Sequence, residues 1–248
     1  MKKILNKILN KLNYFHKNNF KKNEYNSFFE GILFSHLTNK KNLTIVQVGA
    51  NDGVKGDPLY NFILKFNDKI KLLAIEPQSG VFKRLKENYS KINNVFFSQN
   101  AIGDGSEKEF YSFNSNYSKF HSTKNTFDRH SSFEKEHLLK YLKNHSIKEK
   151  DFDYYIKTNK IKSVTLNEAI HQSKANFSEI DILQIDTEGH DDLVIYNSSI
   201  DKYKYKFINY KFKQLSVERL NKLHLFLKKN NYEIIRWKKS DELAYRIE

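Results

Sequence analysis

Short runs of β-branched and aliphatic residues that stop on a glycine or an acid constrain this chain more than any other feature. Leu43–Val48 stops at Gly49, Lys71–Ile75 at Glu76-Pro77, and Ile180–Ile185 at Asp186. Val95–Phe97 precedes Gly103 and Gly105, and Phe207–Tyr210, Tyr232–Trp237 and Leu243–Ile247 read as three more strands. Between them, Leu59–Phe66, Val81–Tyr89, Leu166–Ser173 and Val217–Asn230 repeat apolar residues with a helical period. The last opens after Ser216, a good N-cap. Strands alternating with helices predict an α/β fold: a doubly wound, mostly parallel, seven-stranded sheet with helices on both faces. Of the eight glycines, Gly49, Gly53, Gly56, Gly80, Gly103, Gly105 and Gly189 fall at or just after predicted strand ends. In open α/β sheets that edge is where ligands bind.

Two segments stand outside the alternation. Residues 1–40 form an N-terminal helical segment, in which Ile4, Leu5, Ile8, Leu9, Leu12 and Phe15 share one face and lysines fill much of the rest. Tyr25–Leu37 predicts a second helix. The first helix either packs on protein or touches an anionic membrane surface through residues 1–18. Its lysines interrupt every apolar run, which excludes a signal peptide. Residues 41–248 make the main domain, interrupted at about 114–160 by a polar insertion with a helix predicted over Ser132–His145. A long insertion at the ligand edge suits a lid or a substrate platform.

With no cysteine in the chain, disulfides, thiolate zinc sites and thiol nucleophiles are excluded. No run approaches the ~20 apolar residues of a membrane span, so the expected location is the cytoplasm, with peripheral attachment to the inner membrane face as the variant of that reading. The net charge of +14 fits nucleic acid, anionic membrane or phosphorylated small molecules. It fits equally a chain whose default surface residue is lysine. Arginine forks, which phosphate recognition favours, are scarce, and no specific nucleic-acid partner is expected.

Three clusters carry chemistry. Val48-Gly-Ala-Asn-Asp-Gly53 follows the first strand; Gly49 permits a sharp turn, and Gly53 is read as admitting a ligand close to the backbone. The loop is G-x-x-x-G and lacks the middle glycine of the dinucleotide fingerprint, which argues for a cofactor without a pyrophosphate. Glu76 ends the second strand, where a carboxylate can accept both hydroxyls of a ribose. Gln184-Ile-Asp186-Thr-Glu188-Gly-His190-Asp191 crowds titratable groups onto one strand-to-helix turn. A helix cap needs one acid there, not three, so the cluster reads as a site.

These blocks, together with Ala74-Ile-Glu-Pro77, Asn100-Ala-Ile-Gly-Asp104, Val164-Thr-Leu-Asn167 and Ile182-Leu-Gln-Ile-Asp-Thr-Glu-Gly-His190, occur in an order that resembles the FkbM family of S-adenosylmethionine-dependent methyltransferases over roughly residues 43 to 240. The resemblance implies a Rossmann-like class I methyltransferase fold and cofactor contacts from Gly49, Asn51, Asp52, Gly53, Glu76, Asn100, Ala101 and Asp186. Two positions depart from the family pattern. Gln184 stands where lysine is common, and Tyr210-Lys211 where many relatives have Phe-Glu.

The resemblance implies O-methylation, expected on the hydroxyl of a nucleotide-linked or surface-polysaccharide sugar, with another hydroxylated metabolite as the alternative acceptor. His190 is the first choice for general base and Asp186 the second, with Glu188 beside them. A divalent metal on Asp186, Glu188 and Asp191 is the alternative way to lower the hydroxyl pKa. His121, Arg129 and His130 in the insertion are the candidate acceptor contacts. Three rivals differ in sequence signature. A nicotinamide dehydrogenase would need the missing G-x-G-x-x-G loop. An amino-methylating nucleic-acid enzyme would carry a proline-rich turn after the fourth strand, and the only prolines are Pro58 and Pro77. A non-catalytic membrane-surface protein would not need the acidic turn. The oligomeric state is open at this stage.

Overall fold

The computed structural model describes residues 24–114, 116–117 and 130–247. The basic amphipathic helix and its membrane contact through residues 1–18 lie outside these, as do His121 and Arg129. Seven strands form one sheet in the order β3-β2-β1-β7-β8-β10-β9: β1 (Leu43–Val48), β2 (Ile70–Ile75), β3 (Val95–Ser98), β7 (Ile182–Ile185), β8 (Phe207–Lys211), β9 (Tyr232–Arg236) and β10 (Asp241–Arg246). All pairings are parallel except those of β10, which runs antiparallel to β8 and β9. Strand order reverses between β1 and β7, and at such a switch point the helices leave in opposite directions and open a crevice at the strand ends.

The two faces of the sheet bury different sets of residues. Val46, Val48, Leu73, Ile75, Leu183, Ile185 and Ile208 point to one side. There they meet α5 (Leu166–Gln172) and α6 (Val217–Lys229), whose N-caps Thr165 and Ser216 each accept a backbone N–H. Leu43, Ile45, Leu72, Ala74 and Ile182 point to the other, against α1 (Glu24–Leu37), α2 (Tyr60–Lys65) and α3 (Ser79–Asn88). The period of two along each strand produces this division. Phe28 and Phe29 of α1 stack on Trp237 at 5.9 and 5.6 Å. At its other end, buried Asp181 takes Lys40 Nζ at 2.6 Å, contacts His36 Nε2 at 3.1 Å and accepts the Thr44 N–H.

The helix expected in the insertion is present as α4 (Lys135–Asn144). Three strands around it were not expected. β4 (Glu107–Phe113) and β6 (Ile156–Lys162) pair antiparallel along their whole length, and β5 (Ser131–Ser132) adds to β4 as a third strand. β6, Ile156-Lys-Thr-Asn-Lys-Ile-Lys162, exposes most of its residues. Without a buried face it carries little hydrophobic alternation, so its sequence reads as loop. The small sheet is docked over the main one by Gln78 Nε2, which donates to Ser131 Oγ at 2.8 Å, and by Ser132 Oγ, which donates to the Glu188 carbonyl at 2.9 Å.

Candidate functional site

A cavity of about 320 Å³ opens between the carboxyl ends of β1, β2 and β7 and the small sheet above them. Its first half is built from the turns after β1 and β2. Gly49 has a φ of +75°, and a Cβ there would sit 2.0 Å from the Asp186 carbonyl oxygen. Only glycine lets the β1 and β7 turns approach this closely. Asn51 follows at φ +51°, a conformation asparagine tolerates. Its N–H donates to Glu76 Oε2 at 3.0 Å, and the Gln78 N–H donates to Oε1 at 2.9 Å. Both carboxylate oxygens of Glu76 are thus oriented by backbone. Asp52 Oδ1 accepts the N–H groups of Val54 and Lys55 and holds the loop closed. Asn100 and Ala101 line the same half, with Asn100 Nδ2 donating to Ser98 Oγ and Gln172 Oε1.

Gly53 takes a different place from the one expected. It does not line the cavity; a Cβ there would meet Tyr89 Cε2 at 2.6 Å and Leu85 Cδ1 at 2.7 Å. The glycine is needed because α3 packs on the loop, and Tyr89 Oη donates to the Gly53 carbonyl at 2.8 Å. Gln47 was not anticipated. Its side chain is buried in the cavity wall, Nε2 donating to Asp57 Oδ2 at 2.7 Å while Oε1 has no hydrogen-bond partner.

The second half holds the acidic turn. Asp186, Glu188 and His190 all line the cavity, joined by Lys211 from the end of β8, by Phe110 of β4, and by His130, Ser131 and Phe133 from the insertion. Lys211 Nζ lies 2.7 Å from Asp186 Oδ1 and 3.1 Å from Glu188 Oε1. The ammonium therefore occupies the position that the family pattern gives to a glutamate, and it bridges two carboxylates. Burial pushes the Asp186 carboxyl up to about 7, against the opposing pull of Lys211. Burial also acts to raise Glu188 and to lower Lys211. Their mutual attraction outweighs it, leaving Glu188 below and Lys211 well above the usual range. Glu188 has φ +52°, a strained conformation for a side chain of this kind and a mark of functional turns.

The metal set expected from sequence, Asp186, Glu188 and Asp191, is not brought together. Asp191 does not line the cavity and is fully buried. Its Oδ2 accepts the Thr187 hydroxyl at 2.8 Å and the Thr187 N–H at 3.3 Å, and its Oδ1 accepts the Lys211 N–H at 2.9 Å. It is a strut between the β7 turn and the end of β8. Asp192 is likewise consumed, by Arg219 at 2.5 Å.

His190 differs from all of these. Its side chain is 8% exposed, yet neither ring nitrogen has a hydrogen-bond partner. The ring lies 4.9 Å from Phe133, with Glu134 Oε1 at 3.7 Å from Nδ1. Burial, then the nearby Arg219 charge, hold its pKa down to about 4. At neutral pH it is an uncharged imidazole facing a cavity, able to accept a proton or a hydrogen bond. Of the three acceptor contacts expected in the insertion, His130 reaches the cavity wall. Among the described residues, no helix is long and apolar enough to cross a membrane.

Residues 47–234 match the family model of the methyltransferase FkbM domain. No curated protein sequence matches the chain. Solved structures of similar fold include the precorrin-6y C5,15-methyltransferase of Geobacter metallireducens, at 11% identity and TM-score 0.43, covering 93% of both chains. The ribosomal protein L11 methylase of Lactobacillus delbrueckii matches at 11% identity and TM-score 0.42, over 91% of this chain and 81% of that one. Aeropyrum pernix fibrillarin, solved with natively bound S-adenosyl-L-methionine, matches at 10% identity and TM-score 0.42, over 84% and 67%.

Proposed function

Since the chain belongs to the FkbM methyltransferase domain family, we propose that this S-adenosylmethionine-dependent enzyme methylates a hydroxyl oxygen of a sugar, with His190 as the general base. The residues of the first half fit the cofactor. Glu76, oriented by two backbone N–H groups, is the acid for a ribose diol. The Gly49–Asp52 turn lies open beside it. Gln47 Oε1, buried without a donor, offers an acceptor to a cationic ligand. When bound, S-adenosylmethionine supplies a methyl already activated by its sulfonium charge. What remains for the protein is positioning and proton removal.

The single observation that carries the base assignment is His190, whose two buried nitrogens lack partners at the cavity wall. Phe110 and Phe133 offer apolar faces to a sugar ring, while Lys211, Glu188 and His130 offer polar groups to its hydroxyls. That mixture supports a small, hydroxyl-rich acceptor, and a nucleotide-linked or polysaccharide-precursor sugar is the version we favour. A catalytic role in the cytoplasm, with neither nucleic acid nor membrane as substrate, goes with this reading.

Calorimetry tests the cofactor half: S-adenosylmethionine should bind and nicotinamide dinucleotides should not. Glu76→Ala should weaken binding by about 1–3 kcal/mol, the cost of unpaired hydroxyls. Turnover tests the base. His190→Ala should lower kcat by about 10²–10⁴-fold with cofactor affinity unchanged. Because His190 is neutral down to about pH 4, kcat/KM should be flat from pH 5 to 8. A limb centred near 7 would transfer the role to Asp186, whose carboxyl titrates there.

A further inference from the structure

His130, just before β5, His137, in the first turn of α4, and Glu188, on the strained turn after β7, come from three separate places in the chain. One ligand atom from each lies within 4.8 Å of the other two. Where the sequence pointed to three carboxylates, the fold assembles two imidazoles and one carboxylate. We propose that this trio is a binding site for one divalent transition-metal ion, set in the wall of the acceptor half of the cavity.

The geometry separates this reading from an ordinary polar cluster. His137 Nε2 is a buried atom without a hydrogen bond, and it stands 3.6 Å from Glu188 Oε2. That is too long for a hydrogen bond. It is close to the ~3.4 Å between two ligands that share one tetrahedral ion at ~2.1 Å. The carboxylate is already held in place from outside the trio. Gln214 Nε2 donates to Oε2 at 2.8 Å, and Lys211 Nζ donates to Oε1 at 3.1 Å. Outer partners of this kind orient ligands in metal sites. The His130 ring is fixed by Tyr141, 4.1 Å away. Two imidazoles and one carboxylate suit Zn²⁺, Mn²⁺ or Co²⁺ and leave coordination positions open.

His130 and Glu188 line the cavity, so an ion held by the trio is adjacent to the acceptor. Its role rests on the reading above. Coordinated to the acceptor hydroxyl, the ion would lower that hydroxyl's pKa. A weak base such as His190 could then take the proton on a ring nitrogen, while the new O–CH3 bond would form as the S–CH3 bond of S-adenosylmethionine broke, the neutral thioether S-adenosylhomocysteine being the leaving group. The ion is neither oxidised nor reduced.

The test uses Co²⁺ with the full-length protein after exhaustive dialysis against chelator. Wild-type protein is expected to bind one equivalent and to show visible d–d absorption. His137→Ala and Glu188→Gln should each lose more than about 100-fold in Co²⁺ affinity, the upper end for losing a merely supporting partner. His171→Ala, which removes an exposed histidine, should lose nothing. Unchanged S-adenosylmethionine affinity shows that the variants are folded. Where they are not, X-ray absorption of the Zn²⁺-loaded wild type decides, and two imidazole nitrogens with carboxylate oxygen is the expected shell. No bound ion in the wild type, undiminished binding in both folded variants, or a shell without two imidazoles overturns the proposal. None of these readouts needs turnover. An ion bound by a protein that transfers no methyl would defeat the functional reading and leave the site standing.

Discussion

The two halves of the cavity solve opposite problems with the same side-chain chemistry. Glu76 and Asp186 both end parallel strands and both border the same space. Glu76 is met by two backbone N–H groups at 2.9 and 3.0 Å, an arrangement that fixes the aim of its carboxylate. Asp186 is met by a side chain, Lys211, and its carboxyl is pushed up to about 7 by burial. The first half is held by backbone N–H groups of the turns after β1 and β2. The second depends on charges from β7, β8 and the insertion that must balance one another. A cradle can be made by the backbone alone, whereas a reactive centre needs groups whose protonation can change.

Gly49 is where the halves touch, and breaking it should have the largest effect. Gly49→Ala would drive a Cβ to 2.0 Å from the Asp186 carbonyl at a φ of +75°. Backbone strain and clash together should cost on the order of 3–5 kcal/mol. Thermal unfolding reads the loss, and calorimetry should show cofactor binding lost as well. A stable Gly49→Ala protein that binds S-adenosylmethionine normally would show that the two turns are less tightly apposed than described.

Lys211 sharpens the contrast through pH. Lys211→Met removes the cation between Asp186 and Glu188 and should destabilise the fold by about 2–3 kcal/mol at pH 8. That is below the 3–5 kcal/mol of a fully buried pair, because Asp186 is one-third exposed. The sign follows from the shifts. The Asp186 carboxyl is raised from 3.8 to about 7, so its contribution is fully present below 3.8 and is lost as pH rises through 7. Glu188 is lowered, so its contribution is present above its ordinary value of 4.5 and is lost as pH falls through its folded value. Without Lys211 both acids shift upward, and both can be neutral at pH 5. The deficit of the variant should therefore shrink between pH 8 and pH 5. A deficit independent of pH would mean that the lysine matters for packing and not for charge.

The same division decided what could be read from the sequence. The loop from Gly49 to Asp52, Glu76 and the strand ends were legible, because each lies within a few residues of the hydrophobic run that positions it. The doubly wound, mostly parallel sheet followed from alternation alone. Lys211 was visible only as a departure from a family pattern, because its contacts to Asp186 and Glu188 span more than twenty residues. His137 gave no signal as one of nine histidines; its proximity to Glu188 is a product of how α4 docks. β6 was missed because an exposed strand loses the alternation that betrays it. Gly53 was read as facing a ligand because a glycine spares room in any direction, and sequence does not say which neighbour takes it. Asp191 was read as a metal ligand because a carboxylate's partners, here Thr187 and the Lys211 backbone, are set by the fold.

Tyr89→Phe probes the first half at its gentlest point. Tyr89 is buried, and its hydroxyl donates to the Gly53 carbonyl at 2.8 Å. Removing one oxygen leaves the ring packed against Gly53 and costs one hydrogen bond, about 0.5–1.5 kcal/mol. Burial, then the charge of nearby Asp57, push the phenol well above its ordinary value, so it stays a neutral donor at every working pH. The loss measured by thermal or denaturant unfolding should therefore be the same at pH 5 and pH 8, unlike that of Lys211→Met. S-adenosylmethionine affinity should fall only a few-fold, since the Asn51 N–H bond to Glu76 remains. A loss that grows with pH would tie Tyr89 to a titrating group, with Asp57 as the nearest candidate. The first half of the cavity would then share the charge coupling that otherwise belongs to the second.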